Sequence, residues 1–290
     1  MSKKRVMQLV RGLHNLRPQH RGCVATIGNF DGVHRGHQAI LARLRERSAE
    51  LGVPSCVLIF EPQPREFFAP DTAPARLTRL RELSAAEFVQ KVLLDGLDVR
   101  HLEVGDDFRF GCDRAGDFAF LAEAGEREGF TVEAAATVEL DAVRVSSTRV
   151  REALAAGDFA MAEHLLGRPF QIAGRVLHGQ KLGRQLNAPT ANVQLKRKRV
   201  PLSGVFLVST QVDGRPWPGV ANIGVRPSVA GDGRAHLEVH LLDFTGDLYG
   251  RRLTVAFHHK LRDEQRFASL EALKAAIAAD IAAARAHWRT

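Results

Sequence analysis

Between a β-rich run, Cys23 to Ile27, and a helical pattern from about Gly36 to Leu51 lies the segment Gly28-Asn29-Phe30-Asp31-Gly32-Val33-His34-Arg35-Gly36-His37. Its residue types suit a phosphate. Glycines let backbone N–H groups come close to an anion, the first turn of a helix leaves its N–H groups unbonded, and two imidazoles three residues apart can both face the ligand. The carboxyl end of a strand is also where open α/β sheets bind ligands. We therefore expect a nucleotide site at Gly28, Asn29, Asp31 and Gly36, with His34 and His37 beside it. The competing reading, a structural or zinc-binding histidine pair, lacks a third ligand nearby. A second phosphate signal is Ser146-Ser147-Thr148-Arg149-Val150-Arg151. There the hydroxyls of Ser147 and Thr148 and a helix start precede Arg151, which can clamp β- and γ-phosphates. Taken alone, the same run is also an ordinary N-cap.

These motifs need elements to hold them. Up to about residue 140, short β-rich runs alternate with helical patterns. They are Cys23 to Ile27, a helix to Leu51, Ser55 to Phe60, a helix from Ser84 to Leu94, Arg100 to Val104, a helix from Asp117 to Glu128, and Thr131 to Val138. That rhythm predicts a parallel sheet with helices on its faces. Two helices follow, Val150 to Ala155 and Asp158 to Leu166, with Gly157 as a break and Gly167 as a C-cap. The character then changes. Phe170 to Leu177, Val205 to Val212, Trp217 to Asn222, Leu237 to Leu242 and Leu253 to His258 are short and punctuated by Gly and Pro, as in a small antiparallel barrel. Asp213-Gly214 is a hairpin turn, and Leu270, Leu273, Ile277 and Ile281 form one face of a closing helix behind Ser269.

The whole-chain numbers agree with two such domains. At 290 residues, with 45% hydrophobic and 26% charged residues, the chain is of ordinary globular composition. No run is long and apolar enough to span a membrane, and the basic N-terminus is not followed by a secretory pattern, so we expect a cytoplasmic protein. Cys23, Cys56 and Cys112 form no CxxC pair, which argues against a disulfide framework or a cysteine zinc site. Of the net charge of +8, residues 1–167 contribute −2 and residues 168–290 contribute +10. That asymmetry fits an anionic partner, nucleic acid or a phosphorylated small molecule. Aromatic residues are sparse, with one Tyr and two Trp, and no nucleic-acid motif occurs, which weighs against nucleic acid.

Further motifs carry a resemblance. Phe60-Glu61-Pro62-Gln63-Pro64-Arg65-Glu66-Phe67-Phe68, Arg76-Leu77-Thr78, Gly105-Asp106-Asp107-Phe108-Arg109-Phe110-Gly111 and Arg114-Ala115-Gly116-Asp117 accompany the histidine motif. Together they resemble the FMN adenylyltransferase module of bacterial bifunctional riboflavin kinase/FAD synthetases. The resemblance places Phe60, Asp107 and Phe110 near the flavin, although the two aromatics read equally well as a plain hydrophobic wall. It also implies that His34 and His37 stabilise charge on the phosphates in flight and that Arg151 holds the leaving pyrophosphate.

The second half is similar to the same family's riboflavin kinase module. The matching runs are Pro189-Thr190-Ala191-Asn192, Gly219-Val220-Ala221-Asn222-Ile223-Gly224 with Arg226-Pro227, Leu237-Glu238-Val239-His240-Leu241-Leu242-Asp243-Phe244, and Gly246-Asp247-Leu248-Tyr249-Gly250. Thr190 and Asn192 are two apart, so in an extended segment both offer oxygens to the same side, for Mg²⁺ and ATP phosphate. Glu238 alternates with Leu237 and Val239, which turns its carboxylate away from that apolar pair, with His236 and His240 beside it. By resemblance Glu238 is the general base for the ribityl 5′-hydroxyl; otherwise a lone strand Glu is a solvated residue. Gly179 and Lys181, within Gly174 to Gly183, resemble a glycine-rich nucleotide loop, and Arg226 a flavin contact. Lys196-Arg197-Lys198-Arg199 either helps draw in ATP or is a solvated loop.

Two departures stand out. After Arg76-Leu77-Thr78-Arg79-Leu80-Arg81-Glu82, an αβ unit that the family carries is absent. In a sheet of order 3-2-1-4-5 the missing strand is the third, at an edge, so the second strand becomes a new edge that invites self-association. At Leu186-Asn187-Ala188-Pro189 the family favours an aromatic before Pro-Thr-Ala-Asn. The expected fold is thus α/β followed by β: a Rossmann-like nucleotidyltransferase domain over 1–167, one αβ unit short, then a six-stranded antiparallel riboflavin kinase-like barrel with a C-terminal helix over 168–290. The expected function is phosphorylation of riboflavin to FMN and adenylylation of FMN to FAD, with ATP and Mg²⁺ and without a membrane partner. The alternatives are a kinase whose adenylyltransferase half has decayed and a basic nucleic-acid-binding or regulatory protein.

Overall fold

The computed structural model describes residues 7–60, 82–105, 107–112, 114–178, 188–195, 200–225 and 235–289. It divides into two compact units, Met1–Val145 and Ser146–Thr290. Of the sequence motifs, Glu61 to Phe68, Arg76 to Thr78, Asp106, Gly179, Lys181, Leu186-Asn187, Lys196 to Arg199 and Arg226 lie outside the described residues.

In the first unit β1 (Val24–Ile27), β2 (Ser55–Leu58), β3 (His101–Gly105) and β4 (Thr131–Ala135) form a parallel sheet of order β2-β1-β3-β4. α1 (Arg35–Leu51) follows β1 and stops at Gly52, which takes the left-handed conformation of a C-cap. The segment expected as one helix from Ser84 is α2 (Ala85–Phe88), closed by a Ser84/Glu87 capping box, running on into π-helical Val89–Leu94. α3 (Phe118–Glu128) begins at its Asp117 cap. Alternation decides the faces. Cys23, Ala25, Ile27, Leu102 and Val104 share a core with Val89, Val92, Leu93 and Leu121. Thr26, paired with Glu103, turns to the other face, where Arg43 of α1 meets Glu103.

The order β2-β1-β3-β4 is the expected one with its third strand removed. Among the described residues β2 is an edge. Cys56, Leu58 and Phe60 pack on the core, while Val57 and Ile59 are 40% and 55% exposed, the half-uncovered pattern expected of a parallel strand that has lost a neighbour. The strand expected to reach Val138 stops at Ala135. A small hairpin of β5 (Glu139–Leu140) and β6 (Val143–Arg144) follows, turned by Asp141 and Ala142 at positive φ.

The second unit opens with α4 (Ser147–Ala156) and α5 (Phe159–Leu166), ended by Gly157 and Gly167 as expected. A closed six-stranded barrel follows, of order β10-β11-β8-β7-β12-β9. Its strands are β7 (Phe170–Leu177), β8 (Ala191–Val193), β9 (Gly204–Val212), β10 (Arg215–Val225), β11 (Ala235–Leu241) and β12 (Arg252–Arg262). β9 and β10 are joined by the Asp213-Gly214 turn, both residues at positive φ. Sequence periodicity marks five of the strands; β8 is three residues long, too short for alternation to register. Phe159 of α5 packs against the barrel rings Phe206 and Phe257. On the outer face, Val205, Leu207 and Val220 are covered by Ile281 and Ala284 of α6 (Leu270–Arg289). α6 is tied down by Arg262 to Asp280 and Arg285 to Asp243, at 2.8 and 2.6 Å.

Candidate active sites

In the first unit the chain leaves β1 at Ile27 and re-enters helix at Arg35. His34 is the N-cap of α1, and its Nδ1 accepts the backbone N–H of His37 at 3.3 Å. That bond leaves the ring proton on Nε2, free to donate. The two imidazoles stack with centroids 3.7 Å apart, and Phe30 tilts against His37 at 4.8 Å. Gly36 suits this packing, since a Cβ there would stand a tight 3.2 Å from the His34 ring. Val33, a β-branched residue at φ 44°, is held in a strained conformation, and Gln38 Nε2 donates to its carbonyl at 2.9 Å.

Burial, then the neighbouring His34, pushes His37 down to about 4, and burial likewise lowers His34, while Asp31 pulls both the other way. Both rings are therefore neutral at pH 7 and meet an anion as N–H donors. The His37 Nδ1 is buried and has no hydrogen-bond partner among the described residues. The sequence motif thus forms one compact cluster of His34, His37, Asp31, Phe30 and Gly36.

One positioning device was not seen in the sequence. Arg43, two turns into α1, reaches Glu103 of β3 at 3.3 Å and Glu133 of β4 at 2.7 Å. Glu103 has a side chain only 2% exposed, and burial raises its pKa while Arg43 opposes that. The pair fixes α1, and with it the histidines, to the sheet. Its sequence signal was a glutamate between Leu102 and Val104 in a β-rich run.

The residues assigned to flavin separate. Phe60 and Phe110 both contact Phe88, at 6.3 and 5.3 Å, and Phe110 is a buried core residue. Asp107 is on the surface, its side chain 80% exposed, 3.7 Å from Arg144. In the second unit, Ser146 caps α4 by accepting the Arg149 N–H at 3.3 Å, which places Ser147 and Thr148 in the first helical turn and Arg151 in the second.

On the barrel, register does what spacing could not. Asn192 of β8 lies opposite Glu238 of β11, and Glu238 lies opposite Asn222 of β10. Alternation sends Leu237, Val239, Ala221 and Ile223 into the barrel, so the three polar side chains form a row on its outer face. His240, on the same face of β11, donates from Nδ1 to the Pro189 carbonyl at 2.9 Å, holding the segment that carries Thr190. Gly219 permits the close approach of β10 to β11, because a Cβ would stand 2.4 Å from the His240 carbonyl oxygen. Asn222 was within a quoted motif but was not singled out; only its strand partners reveal it.

Comparison with known proteins decides the family. A riboflavin kinase family model matches residues 166–288, and an FAD synthetase family model matches residues 16–83 and 78–149. A bifunctional riboflavin kinase/FMN adenylyltransferase from Pseudomonas fluorescens is 75% identical over 97% of each chain. The chain belongs to the bifunctional riboflavin kinase/FMN adenylyltransferase family. The relative of that name from Escherichia coli K12 is 51% identical, over 96% of this chain and 97% of its own. A crystal structure described as a macrolide-efflux protein from Streptococcus pneumoniae shares the fold, with a TM-score of 0.75 and 25% identity over 95% of this chain and 97% of that one. Among the described residues no helix is long and apolar enough to cross a membrane.

As a bifunctional riboflavin kinase/FMN adenylyltransferase family member, the chain is also short at one place. The alignment to the Pseudomonas relative spans 303 residues, more than the 290 that this chain contains. The FAD synthetase match breaks into two pieces that meet at 78–83, where the sequence reading puts the absent αβ unit.

Proposed function

We propose that this chain carries out both reactions that its relatives' names describe: riboflavin and ATP give FMN and ADP, and FMN and a second ATP give FAD and pyrophosphate. We assign the adenylyltransferase to 1–167 and the kinase to 168–290; the riboflavin kinase family match, which begins at 166, starts within two residues of that boundary. The observation that carries the kinase reading is the row in which Glu238 stands directly opposite Asn192. Glu238 accepts the proton of the ribityl 5′-hydroxyl as that oxygen attacks the γ-phosphorus, and ADP leaves. Thr190 and Asn192 offer a hydroxyl and an amide oxygen, hard neutral donors that fit Mg²⁺ carried in with ATP phosphates. Bound there, Mg²⁺ would neutralise charge on the phosphates.

In the first unit, neutral His34 and His37 donate N–H bonds to phosphate oxygens as the FMN phosphate attacks the α-phosphorus of ATP. Gly28, Asn29, Asp31 and Gly36 shape that cradle; by the family resemblance, Ser147 and Thr148, which lie in the second compact unit, are assigned to ATP phosphate and Arg151 to the departing pyrophosphate. Phe60, Phe110 and Asp107 are assigned to the flavin side, with Phe110 acting as a wall rather than an open contact. The same reading makes the protein cytoplasmic and gives the exposed β2 edge a capacity for self-association.

The test is incubation of the purified chain with riboflavin, ATP and Mg²⁺, resolving riboflavin, FMN and FAD over time. FMN followed by FAD is expected. FMN alone selects a kinase whose adenylyltransferase half has decayed, for which the missing αβ unit is the structural reason. No product overturns both activities.

A further inference from the structure

We infer that Asn222 is a substrate-contacting residue of the kinase site, accepting a hydrogen bond from the hydroxyl next to the reacting one on the sugar-alcohol chain. The inference rests on the reading of Glu238 as the base that receives the terminal hydroxyl. Asn192, Glu238 and Asn222 are consecutive in one cross-strand row on the outer barrel face. The row has a direction: the metal- and phosphate-binding residue stands on the β8 side of the base, so the β10 side, where Asn222 stands, is left for the organic part of the acceptor.

Asn222 is suited to that place. Directly opposed residues on neighbouring strands have side chains in reach of one another, so Glu238 and Asn222 present two acceptors side by side. A polyol chain carries hydroxyl donors on successive carbons, spaced to meet two such acceptors. The Asn222 amide oxygen is buried and has no hydrogen-bond partner among the described residues, although the residue as a whole is half-buried. As the general base, Glu238 offers acceptor oxygens and no donor to it. An orphaned acceptor is unfavourable, and the terminal amide torsion is soft, so a modest rotation onto the outer face exchanges an unpaired oxygen for a paired one when the hydroxyl arrives. The opposite neighbour in the row, Val205, has no polar group and packs under α6, so it offers no donor.

The experiment compares the unaltered chain with Asn222→Ala and Asn222→Asp, using riboflavin and an analogue lacking the 4′-hydroxyl. For the unaltered chain, kcat/KM is expected to favour riboflavin. In Asn222→Ala, kcat/KM for riboflavin falls roughly tenfold or more, mainly through KM, while the value for the analogue changes less than about threefold, so the discrimination collapses. Asn222→Asp keeps an acceptor oxygen at that position, so the preference for riboflavin over the analogue is retained. Equal losses for both substrates in Asn222→Ala, or discrimination lost in Asn222→Asp as fully as in Asn222→Ala, overturn the proposal by making Asn222 a structural residue. Absence of FMN from the unaltered chain overturns instead the kinase reading on which it rests.

Discussion

His37 provides a quantitative test of the first site. In water an imidazole titrates near 6.5, whereas burial, aided by the stacked His34, holds His37 down to about 4 in the fold. The unfolded chain therefore takes up a proton that the folded chain refuses as pH falls from 6.5 towards 4, so stability present above 6.5 is lost across that window. Each pH unit costs at most about 1.4 kcal/mol. Because the ring is partly open to solvent, the whole effect is expected at about 1–2 kcal/mol. His37→Gln keeps a hydrogen-bonding side chain and removes the titration, so its stability should fall less steeply with acid by that amount. Both tryptophans, Trp217 and Trp288, lie in the second unit. Urea unfolding followed by far-UV circular dichroism and by tryptophan fluorescence therefore separates the two units. Parallel pH dependences of the two proteins in the first-unit transition would refute the reasoning, since His37 would then titrate alike folded and unfolded.

Other substitutions probe the remaining features. Glu238→Gln should lower the rate of riboflavin phosphorylation by about 10²–10⁴-fold while conversion of supplied FMN to FAD persists; loss of both would show a global defect. Gly219→Ala forces a Cβ to within 2.4 Å of the His240 carbonyl oxygen and should destabilise the barrel by at least about 2 kcal/mol, read as a lowered fluorescence-detected urea midpoint. Arg43→Ala leaves the buried Glu103 carboxylate without its counter-charge, at about 1–3 kcal/mol given that Arg43 is half exposed. That loss should shrink in acid as Glu103 takes a proton, and a pH-independent loss would rule out the ion pair as its source. Val57→Lys, on the exposed face of β2, should change stability by less than about 0.5 kcal/mol and reduce any concentration-dependent association seen by sedimentation velocity.

The sequence by itself determined whatever is decided within a turn or two of chain. The β1-loop-α1 passage, the caps Ser84, Asp117, Ser146 and Asp158, the stops at Gly52, Gly157 and Gly167, and the Asp213-Gly214 turn are all local choices made by side chains within hydrogen-bonding reach of their own backbone. The stacked His34 and His37 pair belongs to the same class, because the first helical turn brings together residues three apart. Alternation of strand and helix was enough to predict a parallel sheet, whereas its strand order and β2 as an edge followed from the family resemblance and the αβ unit missing from it.

Only the tertiary structure decided what depends on which strand lies beside which. β8 exists as a strand because β7 and β11 flank it, not because its three residues prefer that state. The Asn192, Glu238 and Asn222 row is a product of register. His240 reaches Pro189 across 51 residues of chain, and Arg43 finds Glu133 across 90. The hydrophobic pattern selects which face of a strand is buried, but its period of two is shared by every strand. Closure of the barrel is what selects the partners and so assembles the site.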